Sequence, residues 1–214
     1  MPRRKRWQLP DAPPAPVAED STSRVLGELA HAVLQAAEAR DAYQFALDRT
    51  CPAVGAQLGA VFLLDGAAEV MRPVAAHNWP DRWRRWLGEM RVRVGFGPAG
   101  EAAAERRLIE VADVFADPAL EDWQDVGREL GFHAIISVPI VGPEGLAGAA
   151  SFYFATPGTQ PLATKATLRV VSDLLATAHE LERLRRQLRL AEAALEDERS
   201  AAAPRREDSQ ATDV

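Results

Sequence analysis

The chain has 214 residues, 47% of them hydrophobic and 26% charged, with a formal net charge of −6. Such a chain suits one globular domain with tails, and its acidic balance excludes a surface given over to nucleic acid. The single cysteine, Cys51, excludes an internal disulfide and a cysteine-based zinc site, and fits a chain expected in the reducing cytoplasm.

Residues 1–20 carry a basic cluster (Arg3, Arg4, Lys5 and Arg6) and prolines at 2, 10, 13, 14 and 16. No apolar run follows the basic residues, so a disordered arm is expected rather than a secretory leader. Nowhere does the chain approach the ~18 consecutive apolar residues that a membrane span requires. We therefore expect no membrane partner.

Ser21 or Ser23 can cap a helix whose apolar face is Leu26, Leu29, Ala30, Val33 and Ala37. Asp41 can cap a second, with Tyr43, Ala46, Leu47 and Cys51 on one side and Pro52 near its end. Residues 57–64 and 69–76 read as strands joined by an Asp65-Gly66 hairpin turn. A Trp-rich helix is expected over 81–87. Alternation of Met90, Val92 and Val94 with Arg91 and Arg93 predicts a half-exposed strand. A glycine loop over 95–100 leads to a small helix at 101–106, a short strand at 108–111 and a helix at 120–130 ended by Gly131. Two β-rich segments, 133–141 and 146–154, form a final hairpin expected at the sheet centre.

From Leu162 to about Arg199 there is neither Gly nor Pro. Val170, Leu174, Thr177, Leu181, Leu184, Leu188, Ala191 and Leu195 recur at alternating spacings of four and three, a heptad pattern. The expectation is a parallel homodimer through Val170, Leu174, Leu181, Leu184, Leu188 and Leu195, with Glu180 facing the partner's Arg185. Earlier in the helix, Val171, Leu175 and Ala178 widen the stripe, so this part also packs on its own domain. In this frame His179 points to solvent, an ordinary surface histidine despite the loose likeness of His179-Glu180-Leu181 to a histidine-kinase phosphoacceptor box.

The ordered set Val94-Gly95-Phe96-Gly97-Pro98-Ala99-Gly100-Glu101, Leu108 to Val114 with Asp117-Pro118, Leu130 to Ile140 and Gly145 to Phe152 resembles GAF domains of bacterial signalling proteins. The resemblance covers about residues 24–182. It implies a mixed α/β (α+β) fold with a central antiparallel sheet of five or six strands. One face would carry the terminal helices and the other would enclose a small ligand. The divisions expected are an arm at 1–20, the GAF-like domain at 21–180, a coiled-coil extension of the last helix at 181–200 and a disordered tail at 201–214.

Candidate pocket residues are His77, Trp79, Trp83, Phe96, Asp113, Trp123, His133, Ser137, Ser151 and Tyr153. Trp79, Trp83 and Trp86 form either an aromatic lid over a planar ligand or a stripe pinning a short helix to the sheet. Gly95-x-Gly97-x-x-Gly100 matches a dinucleotide pattern by letter but lacks the βαβ context, so a tight turn is expected. The resemblance places Asp113, Asp117 and Asp122 near the pocket rim; they lack calcium-loop spacing, and capping the helix at Leu120 explains at least one of them. Ser137, Ser151 and Tyr153 share odd parity; they face either the pocket or solvent.

No catalytic or metal site is expected. GAF-type free methionine sulfoxide reductases need several pocket cysteines, and Cys51 alone cannot perform their exchange chemistry. The reading is a non-enzymatic regulatory or sensor module of signal transduction, with an unknown ligand or cofactor and a separate signalling output protein as partner. The alternative is a ligand-free dimerisation and protein-docking module.

Overall fold

In the computed structural model, which describes residues 21–66 and 69–202, two helices lead into a six-stranded sheet. The arm at 1–20 and the tail from 203 onward lie outside the described residues. Helix α1 (Ser21–Gln35) buries Val25, Leu29 and Val33, a four-residue spacing that makes one narrow stripe. Helix α2 (Ala39–Val54) buries Tyr43, Ala46, Leu47, Thr50 and Cys51. It starts two residues before Asp41, because its first N–H, on Ala39, donates to Glu182 of the last helix at 2.6 Å. A distant side chain thus supplies the cap that Asp41 was expected to give.

The strands are β1 (Leu58–Leu64), β2 (Val70–His77), β3 (Val92–Arg93), β4 (Ile109–Val111), β5 (Ala134–Gly142) and β6 (Gly145–Phe154). Their order is β3-β2-β1-β6-β5-β4, and every neighbouring pair is antiparallel. Between strands lie α3 (Asp81–Glu89), α4 (Gly97–Glu105), a 3-10 turn at Pro118–Leu120 and α5 (Glu121–Leu130). The expected strand over 90–94 pairs only at Val92 and Arg93. The small helix begins at Gly97, four residues earlier than expected, because Gly97 turns the chain at φ 64° and Pro98 presets the first turn. Gly100 then passes so close to β3 that an added Cβ would stand 2.2 Å from the Arg93 carbonyl oxygen.

Alternation divides the sheet into two faces. Ala134, Ile136, Val138 and Ile140 of β5 and Ala150, Phe152 and Phe154 of β6 meet the layer of terminal helices. Ile135, Ala149 and Tyr153 point the other way and, with Phe62 and Met71, are covered by α3, α4 and α5 through Leu87, Ala99, Ala103 and Val126.

The last helix, α6 (Leu162–Ala202), serves two environments. Leu168, Val171, Leu175 and Ala178 are buried against the sheet. Leu174 and Leu181, placed in the dimer seam by the heptad reading, are half-buried against the chain's own core. Val170, Leu184, Leu188 and Leu195 remain 43–59% exposed, and residues 186–199 are all exposed. Glu180 and Arg185, expected to pair across two chains, both have partners within their own chain. Glu180 binds Arg183 of its own helix at 2.6 Å, and Arg185 donates to the carbonyls of Leu34 (3.2 Å) and Ala36 (2.6 Å). Glu182 at the start of α2 and Arg185 at the end of α1 therefore clasp the α1–α2 corner. Each charge complements the helix end it meets.

Candidate functional site

On the face away from the terminal helices, the chain leaves a cleft of about 400 Å³ between the sheet, α3, the β3–α4 segment and α5. Its size is that of a small-molecule site. The floor is Phe62, Ile135, Ser151 and Tyr153; the walls are Trp86, Trp123 and the first turn of α4; Arg91, Arg93 and Asp122 stand at the rim. Phe96, 62% exposed, occupies the N-cap position of α4 at the mouth, with the Arg93 guanidinium 5.1 Å from its ring centre.

Aromatic rings form a continuous cluster here because α3 and α5 each present a tryptophan inward. Trp86 meets Trp123 edge-on at 6.2 Å, and Trp123 stacks on Tyr153 at 6.3 Å. Ser151 and Ser137 face each other across β6 and β5, their hydroxyl oxygens 2.7 Å apart and fully buried. Burial pushes the Tyr153 phenol above its ordinary range, partly countered by a hydrogen bond from Ser151's side. Of these three neutral hydroxyl groups, Ser151 and Tyr153 border the cleft.

Of the residues expected at the pocket, Phe96, Trp123, Ser151 and Tyr153 border this cleft, and Ser137 lies directly beneath it. Trp79 forms the wall behind them. It is buried, donates from Nε1 to the Gly59 carbonyl at 3.0 Å, stacks on Trp86 and meets Tyr153 edge-on at 5.5 Å. Trp83 is half-buried and packs edge-on against Trp86 at 5.1 Å, one ring removed from the cavity.

Three expected residues stand elsewhere. His77 lies on the helix side, with Nδ1 2.7 Å from Asp48 of α2. The reason is an irregularity opposite Val61 and Phe62, where β2 carries Val74 as an extra residue, so the parity running from Met71 is reversed before His77. Asp113 and His133 pair beside Phe115, not at the cleft. The Asp113 carboxylate accepts from the Phe115 N–H at 3.1 Å and lies 3.6 Å from His133 Nδ1. His179 also departs from expectation: it is half-buried, its Nδ1 3.4 Å from the Tyr43 hydroxyl, because α6 turns that side toward α2.

Asp122 stands at the rim, where the family resemblance implied it, whereas residue-by-residue reading missed Arg91, Arg93 and Met90 as cleft residues. The alternation of Met90, Val92 and Val94 carried that signal, since it is the inward face of this segment that packs on the aromatic cluster. Cys51 is wholly buried on the opposite side, among the terminal helices, and burial pushes its thiol up to about 12. Among the described residues no group of three or more His, Cys, Asp or Glu side chains could hold a metal ion.

The family model for the GAF domain matches residues 36–180. The chain belongs to the GAF domain family. Among solved structures, the GAF domain of a phosphoenolpyruvate-protein phosphotransferase from Coxiella burnetii is similar at 19% identity and TM-score 0.68, over 77% of this chain and 96% of that one. The free methionine-R-sulfoxide reductase of Neisseria meningitidis, in complex with its substrate, is similar at 16% identity and TM-score 0.64, over 77% and 91%. The chromophore-binding domain of a bacteriophytochrome from R. palustris is similar at 15% identity and TM-score 0.60, over 78% and 64%. At such identities these likenesses establish the GAF fold. No curated protein matches the chain. No described helix is long and apolar enough to cross a membrane.

Proposed function

We propose that this GAF domain is a regulatory sensor module that takes a small planar ligand into the cleft under Trp86 and Trp123. The observation that carries the reading is the cleft itself: an aromatic enclosure with a neutral hydroxyl floor and a cationic rim. Rings offer stacking area, Ser151 and Tyr153 offer directed hydrogen bonds, and Arg91 and Arg93 favour an anionic substituent. Two of the structural relatives described above are a substrate complex and a chromophore-binding domain, which supports a ligand on this fold.

The reading assigns the domain no reaction. Ser137 and Ser151 are hydrogen-bonded to each other rather than to a base, and the Cys51 thiol is protonated and faces away from the cleft. Output runs through α6, whose projecting half pairs with a second copy in a parallel coiled coil. Occupancy acts by favouring one of two arrangements of the domain, which requires the ligand to bind them unequally.

Tryptophan fluorescence tests the proposal, since Trp86 and Trp123 border the cleft. Titration with a library of planar carboxylates and nucleobase-like compounds gives a saturable change for at least one class, lost in Trp123→Ala and weakened in Ser151→Ala. Flat curves across the library would favour a docking module, in which the half-exposed Trp86 and the exposed Phe96 meet a protein partner instead.

A further inference from the structure

A second cavity, of about 530 Å³, lies on the opposite side of the sheet, where α2 and α6 flank the β1–β2 hairpin. Leu63, Pro73 and Val74 form an apolar base, and the charged lining is Arg40, Arg183, Arg186 and Glu182. Arg183 is already neutralised by Glu180 and Glu144, and Glu182 is held by the Ala39 N–H. Arg40 and Arg186, both exposed, make no ion pair or hydrogen bond among the described residues. Arg40 and Arg186 thus leave two uncompensated guanidiniums beside this cavity.

A third donor converges on the same space. Tyr43 is 2% exposed, and among the described residues its hydroxyl has only the long 3.4 Å contact with His179 Nδ1. Burial and the nearby Glu182 carboxylate raise its pKa, so the phenol keeps its proton and remains a donor. A buried hydroxyl with one weak partner gains from a stronger acceptor.

We propose that this cavity is a second ligand site, for a small molecule that carries a phosphate-like anion on a compact apolar body. Arg40 and Arg186 hold the anion, the Tyr43 hydroxyl donates to it, and Pro73 and Val74 seat the body. The site adjoins the Glu182–Arg185 clasp on the α1–α2 corner, so its occupant acts where α6 leaves the domain. It is separate from the aromatic cleft and stands or falls independently of that site.

The experiment is an amide-shift titration of the full chain with inorganic phosphate and with phenyl phosphate at fixed ionic strength. Saturable shifts are expected at Tyr43, Val74 and His179, with phenyl phosphate binding about fivefold more tightly for the apolar base it covers. Arg40→Ala and Arg186→Ala each weaken binding about tenfold, the scale of one charge-assisted hydrogen bond. Arg186→Lys recovers part of the loss, and Glu182→Gln tightens binding by removing a competing carboxylate. Both arginines are exposed, so these variants keep the folded spectrum. Shifts that stay linear in phosphate, or dissociation constants that neither arginine substitution alters, would overturn the proposal.

Discussion

Truncating Leu188 and Leu195 together separates the two roles of α6. In the structure these side chains are 59% and 54% exposed and touch no part of their own domain's core. Full burial of a leucine contributes about 1.5–3 kcal/mol, so covering the exposed half contributes about 1 kcal/mol per side chain. A parallel dimer covers four such side chains. Leu188→Ala with Leu195→Ala therefore removes about 4 kcal/mol of association free energy, a dissociation constant weaker by about a thousandfold. Sedimentation velocity over a dilution series measures it. At concentrations where both proteins are monomers, the double variant should melt with the wild type. Leu175→Ala, truncating a wholly buried residue, should instead cost about 2–5 kcal/mol of folding stability. The reasoning is refuted if the double variant associates like the wild type, or if it destabilises the monomer as Leu175→Ala does.

Other consequences follow from single contacts. Ser137→Ala strips the buried Ser151 hydroxyl of its partner and should cost about 1–3 kcal/mol by urea unfolding, with Ser137→Ala and Ser151→Ala combined costing less than the sum of the two singles. Gly148→Ala drives a methyl to 2.0 Å from the Phe62 carbonyl oxygen at the β1–β6 pairing, and should cost at least about 3 kcal/mol or leave the chain unfolded by circular dichroism. Arg185→Ala frees the carbonyls of Leu34 and Ala36, so amide exchange in the last turn of α1 should quicken by about fivefold, equivalent to ~1 kcal/mol. The Cys51 thiol rises from 9.0 to about 12 on folding, so above pH 9 the unfolded chain loses a proton that the folded chain keeps. Stability from this group is complete below pH 9 and falls by about 1.4 kcal/mol per pH unit between 9 and 12. Cys51→Ala should make the alkaline limb of a urea-midpoint profile shallower.

Much of the sheet was legible because hairpins and alternation are local signals. Residues 133–141 and 146–154 read as a central hairpin from their β-rich composition, and Ser137, Ser151 and Tyr153 share a face by parity alone. His77 was expected at the pocket mouth because it follows the second strand, but one extra residue in β2 turns it to the helix side, and only Pro73, a residue that strands admit at bulges, hints at that insertion. The early start of α4 was hidden because Gly97 and Gly100 read as loop residues, whereas Gly97 supplies the positive φ of the turn and Gly100 the close approach to β3. In α6 the heptad pattern was visible, but periodicity cannot say what covers a stripe. The core claims Leu174 and Leu181, while Arg185 is taken by α1 carbonyls far away in sequence. The cleft rim at Arg91 and Arg93 depends on how α3 and α5 lean over the sheet, a tertiary fact without a local motif.

Native mass spectrometry of gently purified protein tests the central claim most directly, because one spectrum reports both oligomeric state and retained ligand. The account predicts a dimer carrying an added small-molecule mass, with that mass lost in Trp123→Ala. A bare monomer would contradict both the sensor cleft and the pairing helix, and a bare dimer would contradict the cleft.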